Sequence, residues 1–87
     1  MAVKMEVFSG DPPCPGCAAL LILADEYAAK YPEKLEVTKF IGKDAMAKFE
    51  EYGLWCTPAV VINEMIRIEG VCPSHETLDT ALQEAGL

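Results

Sequence analysis

Cys14 and Cys17 stand in the segment Asp11-Pro12-Pro13-Cys14-Pro15-Gly16-Cys17. Two thiols at C-x-x-C spacing either exchange electrons with a disulfide or hold a soft metal ion. The element that carries them decides between these chemistries. Upstream, Val3 to Phe8 alternates Val3, Met5 and Val7 with Lys4, Glu6 and Phe8, a strand pattern with one strongly apolar face. Ser9 to Pro13 breaks it, because prolines in series remove backbone donors and bias their predecessors away from helix. From Cys14 to about Lys30 the residues are helix formers. The cysteines therefore fall where a strand hands over to the start of a helix.

That position makes the two sulfurs unequal. With Cys14 as N-cap and Pro15 at the first helical position, the free amides of Gly16 and Cys17 point back at the Cys14 sulfur. Those donors, together with the positive end of the helix dipole, favour a thiolate there. Cys17 lies on the same helix face, within reach of Cys14, and its place inside the first turn tends to bury it. Cys14 is thus expected to attack a substrate disulfide, and Cys17 to resolve the mixed disulfide that results.

The rest of the chain must build the scaffold. In the first helix Leu20, Leu23, Ala24 and Tyr27 share a face, which Ala18 and Ile22 are expected to broaden. Pro32 closes it, Leu35 to Phe40 reads as a second strand, and Gly42 ends that strand. Asp44 is a candidate cap for a short helix with Met46, Phe49 and Tyr52 facing inward and Gly53 at its C-terminus. Ala59 to Ile62 is a buried-strand run, and Asn63-Glu64 turns the chain into a strand over Met65 to Glu69. Ser74 caps a last helix with Leu78, Ala81, Leu82 and Ala85 at helical spacing. The order is βαβαββα, an α/β arrangement whose first two strands run parallel and whose closing hairpin is antiparallel.

Composition narrows the function. With 87 residues the chain has room for one domain over 1–87 and one hydrophobic core. Seven basic against fourteen acidic residues give a net charge of −7, which repels nucleic-acid phosphates and anionic lipid, so neither partner is expected. No apolar run approaches membrane-spanning length and the N-terminus carries no export pattern, so a cytoplasmic location is expected. In that reducing compartment the four cysteines are read as redox or metal chemistry, not as structural staples.

Cys14-Pro15-Gly16-Cys17 after the first strand, Thr57-Pro58 opening the third, the hairpin, and Gly70 just beyond it occur in one order along nearly the whole chain. In these features the sequence resembles the thioredoxin-like superfamily, close to the small thioredoxin and glutaredoxin-like proteins of archaea and anaerobic bacteria. The resemblance implies a four-stranded mixed sheet with helices on both faces and a protein-disulfide reductase that needs no bound cofactor. It also implies a cis Pro58 against the dithiol, Thr57 pairing with an extended substrate, and Gly70 with Val71 along the other wall of the groove. The position where thioredoxins keep a buried acid is taken by Phe8. The segment Gly70 to His75 lacks the glycines and acids with which glutaredoxins hold glutathione. Disulfide-bearing protein substrates, a thioredoxin-type reductase as electron donor and a monomeric state are therefore expected.

Cys56 precedes Thr57 and Cys72 follows Val71, so the same resemblance brings both near Cys14. Two readings stand beside each other: a second redox pair or a metal or iron-sulfur site shared with Cys14 and Cys17, or two small half-buried thiols. The second is the expectation, since free cysteine commonly serves as a small hydrophobe. A metal or iron-sulfur protein using all four cysteines is the rival function, weakened because Pro12 stands where soft-metal chaperones have methionine and no second C-x-x-C exists. A binding module without activity is disfavoured by the intact C-x-x-C. Trp55, Lys39 and His75 are expected to be packing, a solvated charge and a solvated helix-start residue, and Met1, Met5, Met46 and Met65 mostly core.

Overall fold

The computed structural model describes residues 2–87. Strand β1 (Val3–Ser9) leads through a proline-containing loop to helix α1 (Pro15–Lys30), then to β2 (Leu35–Ile41) and α2 (Lys43–Tyr52). The chain continues through β3 (Ala59–Ile62), β4 (Ile66–Glu69) and α3 (His75–Glu84). The sheet order is β2-β1-β3-β4, with β1 parallel to β2 and antiparallel to β3, and β3 antiparallel to β4. The crossover that joins this parallel pair carries α1 over one face of the sheet.

β1 is an inner strand buried on both faces, not the one-faced strand that its alternation suggests. Val3, Met5 and Val7 pack with Leu20, Leu23, Ala24 and Tyr27 of α1 and with Leu78, Ala81 and Leu82 of α3. On the opposite face Phe8 packs with Ala45 and Tyr52 of α2, with Leu54, and with Ala59 and Val61. Phe8 stacks on Phe40 at 5.2 Å between centroids and meets Phe49 and Tyr52 edge-on.

Glu6 shares that second face and is 1% exposed. The Tyr52 hydroxyl donates to Glu6 Oε1 at 2.6 Å, and Lys4 Nζ lies 3.8 Å away. Burial, then the nearby Glu6 carboxylate, push the Tyr52 phenol well above its ordinary value. The pair is therefore a protonated phenol serving a carboxylate inside an aromatic layer. Tyr52→Phe removes the donor and keeps the ring, and is expected to cost about 2 kcal/mol, the typical value for a hydrogen bond to a charged group. Urea unfolding of the two proteins measures it, and a loss of under roughly 0.5 kcal/mol would show that Lys4 and water serve Glu6 well enough alone.

Several local expectations change in three dimensions. α2 buries Ala45 and Tyr52 with Phe49 half-buried, an i, i+4, i+7 face, which turns Met46 out to solvent. Its N-cap is Gly42, not Asp44, which instead sits in the first turn where the dipole favours an acid. Gly42 has φ +62°, and a Cβ there would lie 2.9 Å from Asp11 Cβ, so the turn into α2 requires glycine twice over. Ala18 and Ile22 are exposed, because the sheet and α3 cover only one side of α1. In the hairpin Asn63 and Glu64 have φ of +50° and +64°, and Met65 N–H donates to Ile62 O at 3.1 Å. The ladder pairs Ile62 with Ile66, leaving Met65 exposed in the loop instead of starting the strand. Met5 is core, while Met1 lies outside the described residues.

Candidate active site

Helix α1 begins as its proline and cysteines dictate. Cys14 is the N-cap, with φ −71° and ψ 169°, Pro15 opens the helix, and Cys17 N–H donates to Cys14 Sγ at 3.2 Å. The two sulfurs are 2.8 Å apart, with Cys14 exposed and Cys17 at 0% exposure. One sulfur is open to a partner, and the other lies directly behind it.

The Cys17 thiol is held down at about 7 from an ordinary 9.0. Burial pushes it up, but the hydrogen bond with the Cys14 side chain, the backbones of Gly10 and Cys14, and the Thr57 hydroxyl together outweigh that. A lowered value means that thiolate forms as pH rises through 7, well before an ordinary thiol ionises. The ultraviolet absorbance of thiolate is accordingly expected to rise with a midpoint near pH 7 in the wild type and to lose that step in Cys17→Ser. A midpoint between about 8.5 and 9 would show that burial dominates over the hydrogen bonds.

Pro58 packs against this turn. The Thr57–Pro58 peptide is cis, and a Cβ on Gly16 would come within 3.2 Å of Pro58 Cγ. Gly16 is therefore the residue that lets the proline approach the dithiol. Gly70 N–H donates to Pro58 O at 2.8 Å, which ties the end of β4 to the same spot, and Val71 beside it is exposed. Thr57, Pro58, Gly70 and the dithiol thus converge at one end of the sheet. A cleft of about 400 Å³ adjoins them, lined in part by Gly10, Met46, Phe49, Trp55 and Thr57.

The other cysteines do not build a shared centre. Cys56 is exposed, with its sulfur against Gly70, where an added Cβ would be 3.1 Å away. Cys72 packs against the α1/α3 core, faces the Pro73 carbonyl at 3.7 Å, and burial pushes its thiol up. Among the described residues no three histidine, cysteine or acidic side chains come together as a metal site. The rival reading of four cysteines around a metal or cluster gains no geometric support.

Lys39 pairs with Asp25 at 2.8 Å on the surface, and His75 pairs with Glu26 at 3.1 Å while stacking on Tyr27, not on Cys72. Trp55 overturns its expected packing role, being 88% exposed. Its backbone N–H donates to Glu69 Oε1 at 2.7 Å, a contact with no sequence signal because residues 53–58 carry no periodicity.

An exposed thiol over a buried one, at a helix N-terminus on a βαβαββα scaffold, defines a thiol-disulfide oxidoreductase. Residues 3–83 match the thioredoxin domain family, and the chain belongs to it. It is 36% identical over 84 residues to a probable thioredoxin of Methanothermobacter thermautotrophicus, covering 97% of this chain and 96% of that one. It is 33% identical over 82 residues to a thioredoxin of Methanocaldococcus jannaschii, covering 94% of each. Among solved structures, a malarial protein superimposes with a TM-score of 0.82 at 12% identity over 100% of both chains. The germline-specific thioredoxin Deadhead of Drosophila melanogaster superimposes with a TM-score of 0.75 at 20% identity, over 94% of this chain and 80% of that one. The kinship to named thioredoxins makes this chain a disulfide reductase. Among the described residues, no helix is long and apolar enough to cross a membrane.

Proposed function

We propose that the chain reduces disulfides of partner proteins by a two-step exchange in which Cys14 is the nucleophile and Cys17 the resolving thiol. The Cys14 thiolate attacks one sulfur of the substrate disulfide, forming a mixed disulfide and expelling the other substrate sulfur as a thiolate, which takes up a proton. Cys17 then gives up its proton and attacks Cys14 Sγ. That attack breaks the mixed disulfide and expels the second substrate sulfur as a thiolate, so the substrate leaves with two electrons taken from the dithiol, which is left as a Cys14–Cys17 disulfide. The observation that carries this reading is the 2.8 Å contact between an exposed and a buried sulfur at a helix N-terminus.

Thr57 and Pro58 on one side and Gly70 with Val71 on the other form the walls along which an extended substrate segment docks. A thioredoxin-type reductase restores the dithiol, and the protein works as a monomer in the cytoplasm. Cys56 and Cys72 take no part in the exchange. Insulin reduction by the purified protein tests the proposal, with the electron source varied between dithiothreitol, a thioredoxin reductase with NADPH, and glutathione. Turnover with the first two and none with glutathione is the expected pattern. No turnover with any donor, in a protein that retains stoichiometric metal, would overturn it.

A further inference from the structure

Trp55 is the chain's single tryptophan and stands almost fully in solvent. So large an apolar side chain gains nothing from that placement in the free protein. It is not alone: Met46, 63% exposed, and the half-buried Phe49 line the same cleft. The cleft borders the dithiol through Gly10 and Thr57, which form part of its lining and also lie against the Cys17 sulfur.

The loop that carries Trp55 is fastened from one side. The Glu69 carboxylate accepts the Trp55 N–H at 2.7 Å, and the next residue, Gly70, bonds Pro58 O at 2.8 Å. In the ladder Glu69 pairs with Ala59, so the end of β4 clamps residues 55–59 at both ends. The Glu69 bond is charge-assisted and short, the kind that fixes a backbone position.

We propose that Trp55 is a specificity-determining residue that selects an apolar side chain next to the substrate's disulfide cysteine, and that Glu69 is the residue that positions it. This rests on the reductase reading above and adds what that reading leaves open, the chemistry of the preferred substrate. The occupant is a leucine-, methionine- or phenylalanine-sized side chain of an extended polypeptide. It enters the cleft between Trp55 and Met46 while the neighbouring cysteine meets Cys14. Burying it covers Trp55 and Met46 together, which gives the preference its apolar character.

The test uses disulfide-linked peptide dimers that differ only in carrying leucine or serine beside the cysteine. The wild-type protein is expected to show a kcat/KM ratio for leucine over serine of about tenfold, carried mainly by KM. Trp55→Ala and Glu69→Ala are expected to bring that ratio close to one. Glu69→Gln, whose amide oxygen still accepts the Trp55 N–H, is expected to keep most of it. Trp55 fluorescence anisotropy should fall in Glu69→Ala and much less in Glu69→Gln, a readout of the tether itself. A wild-type ratio near one, or a ratio and anisotropy that Glu69→Ala leaves intact, overturns the proposal. Equal losses in Glu69→Gln and Glu69→Ala would assign the effect to charge and overturn the positioning role. Failure of the wild type to reduce either peptide or insulin would instead strike the reductase reading beneath it.

Discussion

Replacing Cys14 by serine is expected to reduce insulin turnover to the uncatalysed background, a loss on the order of a thousandfold or more. Serine keeps the cap and accepts the Cys17 N–H, so the helix start survives while the nucleophile is gone. Cys17 cannot take over, because its sulfur is fully buried behind position 14. Cys17→Ser has a different signature. The first attack still occurs, but nothing resolves it, so the protein accumulates as a mixed disulfide whose mass exceeds its own by that of the substrate thiol. Non-reducing mass spectrometry after exposure to a disulfide peptide separates the two variants. Substantial turnover by Cys14→Ser, or trapping by Cys14→Ser and not by Cys17→Ser, would reverse the assigned roles.

Phe8→Ala is expected to destabilise the fold far more than the loss of the Tyr52 hydroxyl. Phe8 is fully buried, stacked on Phe40 and met edge-on by Phe49 and Tyr52. Its removal takes out the centre of the layer between the sheet and α2 and leaves a void that the surrounding rings cannot all collapse into. Such truncations cost about 3–5 kcal/mol. In a domain of this size that corresponds to a fall in Tm of roughly 15–30 °C. Differential scanning calorimetry at one pH gives the value directly, and a fall of only a few degrees would mean that α2 closes down onto β1 without strain. Activity should fall as well under conditions where the variant is still folded, because α2 forms one wall of the cleft beside the dithiol.

Much of this protein is legible in its local chemistry. A proline just after Cys14 can only open a helix there, and serine before a helical run can cap one, so the starts of α1 and α3 follow from single residues. The pairing of Cys14 with Cys17 is equally local, since one turn of helix brings the two sulfurs together whatever surrounds them. The parallel pairing of β1 with β2 and the hairpin of β3 with β4 follow from the lengths of the connections.

What tertiary structure alone decided concerns which sides of those elements are covered. β1 alternates as though one face met water, yet α2 lies over the second face, so Glu6 is buried and must borrow a donor from Tyr52, far along the chain. Ile22 looks like core by composition and is exposed, because α3 covers only one side of α1. Met46 and Trp55 likewise face solvent at the cleft, where apolar content by itself would have placed them inside. The sequence by itself determined the reacting pair and the order of the elements, because both arise from contacts within a turn or two of chain. Only the tertiary structure decided what stands around that pair, because burial depends on a neighbour that arrives from elsewhere in the fold.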